Sequence, residues 1–257
     1  MLHVPSTLAR LIVIVGTFAP FPMYFLGARL SDRFGRRKVT SIGYEIAVLT
    51  FFPGLHVIAD SANPALTQTW RDHPVIVSGL DCSYDPFAAG RLILECGRVV
   101  DGLSTKGVPC STVEGVPGAR PMATVGGVRV EPSEKRALDT QLALAGYSDA
   151  PVVPTPSGIA LILLAMAILY VGAGTAYGAM AAWLVELFPS RTRYTSLSIL
   201  YHIAVGYAGG FMPLISQYIV AKTGDPFAGF WYVLVIVVCS FFAAAFCLPE
   251  TVGRQLE

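Results

Sequence analysis

The chain has 257 residues, 54% of them hydrophobic and only 14% charged, where a soluble domain carries about 25% charged residues. Mean hydropathy is +0.59, and the net charge of +1 says little about partners, because the distribution of charge matters more than its sum. Composition therefore excludes an ordinary soluble domain and directs attention to where the few charges fall.

Residues 11–28 contain no Asp, Glu, Lys or Arg. This run continues through "FPMYFL" into a basic turn and shows no small-residue cleavage site, so it is a span and not a signal peptide. The turn, residues 29–38, carries Arg29, Arg33, Arg36, Arg37 and Lys38 around one acid, Asp32. Residues 39–59 contain a single charge, Glu45, and residues 150–185, 194–221 and 226–249 contain none. A membrane-crossing helix needs about 20 mostly apolar residues. Five segments qualify, too many for the core of a soluble chain of this length.

Short loops rich in Lys and Arg stay in the cytoplasm. The turn at 29–38 and the loop "PSRTRYT", with Arg191 and Arg193, are separated by two spans and must share a side; both are basic. That predicts an N-terminus outside, a cytoplasmic C-terminus and a multi-pass protein of the plasma (inner) membrane. The lipid bilayer is the expected partner, with no nucleic acid, cofactor or metal.

Residues 60–152 then lie outside. They hold eight Lys and Arg against eleven acids and carry turn signals such as "SANP", "YDPF" and "VGG". Two helices are expected, over residues 87–103 and from Pro132 to about Ala145, with short strands at "PVIVSG" and "ATVGGVRV". The helices end in similar phrases, "STKGVP" and "ALAGYS", either a weak repeat or two ordinary glycine stops. Cys82, Cys96 and Cys110 sit on the oxidising side. Cys82–Cys96 is the expected bridge and Cys110 the remainder, although sequence does not fix the pairing.

Ionisable residues inside spans invite a functional reading. Glu45 faces a polar cavity or snorkels toward the Arg cluster. His202 joins a proton path or makes an interhelical hydrogen bond. Gly174 and Gly178 form a GxxxG in the third span, a spacing that favours close helix packing. Gly209, Gly210 and Pro213 weaken the fourth. There is no GxxxxGK[ST], HExxH or GxSxG motif, so the chain reads as a non-enzyme.

The basic turn, Leu30 to Lys38 with Asp32, Arg33, Gly35, Arg36 and Arg37, resembles the major facilitator superfamily signature G-x-L-x-D-R-x-G-R-[RK], with Ala28 where the family has its first Gly. "AAWLVELFPSRTRYTSLSILYHIAVGYAGGFMPLI" is similar to the C-terminal half of the metabolite:proton symporters, including permeases for proline and betaine, 2-oxoglutarate, citrate and shikimate. Glu186, Pro189, Arg193, Tyr194 and Gly210 match its pattern, His202 falls where relatives often have Asn, and "LPET" at 248–251 matches a common ending.

The resemblance implies an all-α membrane protein: five transmembrane helices of a major-facilitator C-terminal half, helices 8 to 12, with a small α+β extracytoplasmic insertion. The expected divisions are 1–59 for the first two spans, 60–152 for the insertion, 153–249 for the last three spans and 250–257 for a cytoplasmic tail. It implies proton symport of a small organic acid or zwitterionic metabolite by a protein that also has helices 1 to 7. The substrate-binding residues are unknown. Asp32, Arg33, Gly35, Arg36 and Arg37 are the expected conformational switch, docking on the start of a facing helix. Glu45, Glu186, Arg193 and His202 are the candidates for gating or a proton path. The alternatives are a non-transporting membrane protein with an outer ligand- or partner-binding segment, or an inert fragment.

Overall fold

The computed structural model describes residues 2–79, 95–115, 120–132, 135–148 and 150–253. Helix α1 (Ser6–Phe18) gives way to α2 (Phe21–Phe34) at Ala19 and Pro20. Gly35 ends α2 with φ 109°, a conformation nearly closed to residues with a Cβ. Helix α3 (Arg36–Ala62) starts at once and carries Pro53 inside. The short α4 (Pro64–Asp72) is capped by Asn63, whose side chain accepts from the Leu66 amide; Asn followed by Pro at the first helical position is a helix-start signal as well as a turn signal. Then come β1 (Val75–Gly79), α5 (Glu95–Thr105), β2 (Cys110–Glu114), β3 (Met122–Val125), β4 (Val128–Val130) and α6 (Lys135–Leu144). Helix α7 (Pro156–Leu187) opens on a Thr155 cap and a Pro. It is followed by α8 (Arg193–Ile203), a wide π-helical turn at Ala204–Gly209, α9 (Met212–Thr223), and α10 (Phe230–Phe242), which runs into a second π-helical turn at Ala243–Cys247.

Among the described residues five helical stretches are long and apolar enough to cross a membrane: Ser6–Phe34, Arg36–Ala62, Pro156–Leu187, Arg193–Thr223 and Phe230–Cys247. The chain forms two compact units. One comprises Ser6–Ser61, Pro154–Phe211 and Val233–Glu257; the other comprises Met1–Pro5, Ala62–Val153 and Met212–Tyr232.

In the helical unit α7 is the central element, with Ala176, Ala179 and Trp183 at 2% exposure or less. Small residues let other backbones reach it. A Cβ on Gly27 of α2 would lie 2.5 Å from the Thr175 carbonyl oxygen, and one on Gly178 would overlap the carbonyl of Tyr24. On α3, a Cβ on Gly43 would lie 2.6 Å from the Ala176 amide. Gly174 and Gly178 thus form a packing seam, as their spacing predicts.

The second unit is a four-stranded sheet in the order β2-β1-β3-β4. β1 runs parallel to β2 and antiparallel to β3, and β3 pairs antiparallel with β4. The parallel pair requires a crossover, and α5 lies within it. The β3–β4 hairpin turns on Gly126 and Gly127, both with positive φ, as a two-residue type I′ loop requires. Val75, Val77, Ala123 and Val125 present one buried face to Val100, Leu103, Leu138 and Leu142 of α5 and α6. The edge strand β2 is met by the C-terminal end of α9, through a bridge between Ser111 and Thr223.

The two similar phrases end α5 and α6 with one hydrogen-bond pattern. Val108 donates to the Leu103 carbonyl and Gly107 to that of Ser104; Tyr147 donates to Leu142 and Gly146 to Ala143. Both are Schellman stops with Gly at positive φ, each bringing its next residue into the same core. Sequence reading misses α4 and β2, and it starts the first outer helix at residue 87, outside the described residues. The expected Cys82–Cys96 bridge also lies outside them, because Cys82 is not described. Cys110 is a free, buried thiol.

Candidate functional site: the basic turn

The turn between α2 and α3 is built around Arg36. Its guanidinium donates through Nε to both Glu186 oxygens at 3.3 Å and through Nη2 to Oε1 at 3.0 Å. Its Nη1 donates to Ser31 Oγ at 2.7 Å and to Asp32 Oδ1, four residues back on α2. Ser31 is fully buried and in turn donates to the Ala28 carbonyl. The Arg36 and Glu186 side chains are 11% and 17% exposed, that of Asp32 65%. Arg36–Glu186 is therefore the sheltered pair, and Arg36–Asp32 a surface contact of small net worth.

The segment after α10 closes the site. Thr251, 1% exposed, donates its hydroxyl to Glu186 Oε2. Glu250 accepts from the Arg36 amide at 2.8 Å and from the Arg37 amide at 3.1 Å. A carboxylate at these orphan amides caps α3 and meets the positive end of its dipole. Arg37 donates to the Ala245 carbonyl, and Trp183 Nε1 to the Pro249 carbonyl at 3.0 Å. Gly35 fits between them twice over: its backbone needs a positive φ, and a Cβ there would lie 2.5 Å from Glu250 Oε2.

The structure thus gathers Asp32, Gly35, Arg36, Arg37 and Glu186 into one network. Asp32 pairs with Arg36 of its own turn, and the carboxylate at the start of α3 is Glu250. Arg33 is exposed and lies over the Phe34 ring at 5.9 Å. Arg193 donates to the Phe188 carbonyl at 3.2 Å, within its own loop. Glu45 and His202 are exposed on the helical unit, and His202 sits edge-on to Tyr201. Sequence reasoning misses Ser31, Trp183, Glu250 and Thr251. The only signal was "LPET" as a family ending; nothing in the spacing links it to a turn 214 residues earlier.

This is a clasp of charges and backbone amides. Among the described residues no three His, Cys, Asp or Glu side chains converge as a metal site would need. In the sheet-containing unit, burial pushes the Cys110 thiol up to about 11. Burial, reinforced by Cys110, pushes the Tyr147 phenol to about 12; its hydroxyl donates to the His73 carbonyl at 2.8 Å.

Residues 141–257 match the family model "Sugar (and other) transporter". A putative proline/betaine transporter of Staphylococcus aureus is 37% identical over 78 residues, 30% of this chain and 17% of that protein. An ectoine/proline transporter of Corynebacterium glutamicum is 35% identical over 66 residues, 26% of this chain and 13% of that protein. A citrate-proton symporter of Klebsiella pneumoniae is 29% identical over 85 residues, 33% of this chain and 18% of that protein. The chain thus spans less than a fifth of these relatives. No solved structure matches it. With five membrane-capable helices, the chain is similar over these segments to multi-pass transporters of the major facilitator superfamily, among them members of its metabolite:proton symporter group.

Proposed function

We propose that the chain works as helices 8 to 12 of a proton-coupled transporter of a small organic acid or zwitterionic metabolite. The observation that carries this reading is the clasp. A sheltered Arg36–Glu186 pair and a capped α3 join the α2–α3 turn, the end of α7 and the segment after α10. An array of charge-assisted bonds between rigid helices is a two-state element of the kind that alternating access uses. Asp32, at its exposed edge, is placed to exchange partners when the halves of such a transporter rock. The basic turn also argues for a cytoplasmic clasp, with the N-terminus and residues 60–152 outside. A cysteine introduced at Arg33 should react with an impermeant maleimide only from the cytoplasmic side.

The decisive experiment is uptake of labelled proline, betaine and citrate into proteoliposomes under an imposed pH gradient. The chain is reconstituted alone and together with whatever helices the DNA immediately upstream encodes. Gradient-driven uptake of one of these, reduced about tenfold or more by Asp32→Asn at unchanged membrane insertion, is the expected result. Uptake indifferent to the pH gradient refutes proton coupling, and uptake indifferent to Asp32→Asn refutes the switch.

A further inference from the structure

Helix α2 closes the first membrane-capable stretch, Ser6–Phe34, so its last turns stand where hydrocarbon gives way to headgroups. Pro22, Leu26, Arg29 and Arg33 recur at helical spacing on one face of it, and all four are exposed. The face is apolar over its first turns and basic over its last. Phe25 and Phe34, 68% and 58% exposed, flank it. The clasp does not use the two arginines. Arg36 takes the Asp32 and Glu186 carboxylates, and Glu250 accepts from the Arg36 and Arg37 amides. Arg33 rests over the Phe34 ring. Among the described residues neither Arg29 nor Arg33 has an acidic partner. Residues 254–257 carry one Arg and one Glu, and so leave the sum of charge unchanged.

Like charges four positions apart on a helix repel. A phosphate between them removes that repulsion, and guanidinium forks present the paired donors that a phosphate accepts. Free phosphate would leave Pro22 and Leu26 bare, whereas a phospholipid covers them with an acyl chain while its headgroup meets the arginines. We propose that this face binds one anionic phospholipid, with its phosphate against Arg29 and Arg33 and an acyl chain along Leu26 and Pro22. The proposal rests on the membrane-capable helices alone, not on transport or on the side of the membrane that the turn faces.

The test is native mass spectrometry of the full chain, released from detergent after titration with dioleoylphosphatidylglycerol or with dioleoylphosphatidylcholine. The anionic lipid is expected to bind about tenfold more tightly or better, since each arginine beside a headgroup contributes a factor of about five. Arg29→Gln and Arg33→Gln should each lower that preference about fivefold, and the double variant should abolish it, with far-ultraviolet circular dichroism unchanged. Arg191→Gln, at an exposed arginine of another loop, should leave the preference as it is. Inorganic phosphate or glycerol 3-phosphate in large excess should not displace the lipid. Equal binding of the two lipids, parental preference in the double variant, an equal loss on Arg191→Gln, or displacement by either soluble phosphate overturns the proposal.

Discussion

Replacing Glu186 by Gln keeps the shape of the clasp and removes one charge. The Glu186 carboxylate accepts from Arg36 Nε and Nη2 and from Thr251 Oγ1. An amide oxygen still accepts from Arg36, but a hydrogen bond involving a charged group is worth about 1.5–3 kcal/mol against 0.5–1.5 kcal/mol for a neutral one. Arg36 keeps Asp32 and Ser31, so no stranded buried charge adds to the loss. With Glu186 17% exposed, solvent screens part of what remains, and the net cost is about 1–2 kcal/mol. The segment 249–252 is held by these bonds and by Trp183, so its opening equilibrium should rise about five- to thirtyfold. Hydrogen exchange of the C-terminal peptide in detergent micelles reads this directly. Thr251→Val in the same chain should couple to Glu186→Gln by about 0.5 kcal/mol or more in a double-mutant cycle. Exchange of that segment within twofold of the parent, or strictly additive variants, would refute the clasp.

Gly35→Ala meets both a forbidden backbone conformation and the Glu250 carboxylate. It should cost about 2–3 kcal/mol, seen as a lower thermal midpoint and faster exchange of the same C-terminal peptide. Gly178→Leu drives a side chain into the Tyr24 carbonyl and should separate α2 from α7, at a cost of about 3 kcal/mol; disulfide trapping between cysteines placed on those helices should fall accordingly. Cys110 is buried with its thiol raised to about 11, so maleimide at pH 8 should leave it unmodified until the unit unfolds. The sign follows from the folded state holding the proton more tightly. This contribution is intact below the unfolded thiol's pKa, about 8.5, and is lost as pH rises from there through about 11, so the sheet-containing unit should become less stable over that window. Cys110→Ala should remove most of that slope in a denaturant series at pH 8 and pH 10.

The sequence by itself determined the membrane-capable class, the number of apolar spans and a family resemblance. These depend on runs of apolar residues, on five basic residues in one turn, and on local motifs, all properties of neighbouring positions. The same is true of the glycine stops after α5 and α6, where turn chemistry is written in two or three residues, whereas "ATVGGVRV", expected as a short strand, is a hairpin that turns on Gly126 and Gly127. α4 stayed hidden because Asn63–Pro64 signals a turn and a helix start alike. β2 stayed hidden because an edge strand with mixed polarity has little pattern of its own and is held by pairing with β1. Only the tertiary structure decided which charges meet. Asp32, Arg36, Glu186, Glu250 and Thr251 come from three separate segments, and their partnership depends on how α2, α3 and α7 approach through glycines such as Gly27, Gly43 and Gly178. It also decided that Glu250 caps α3, while Glu45 and His202, equally conspicuous as ionisable residues in apolar runs, stand apart from the network. Hydrophobicity is summed along the chain and can be read there. Charge pairing is set by distances across it, and those exist only once the helices have packed.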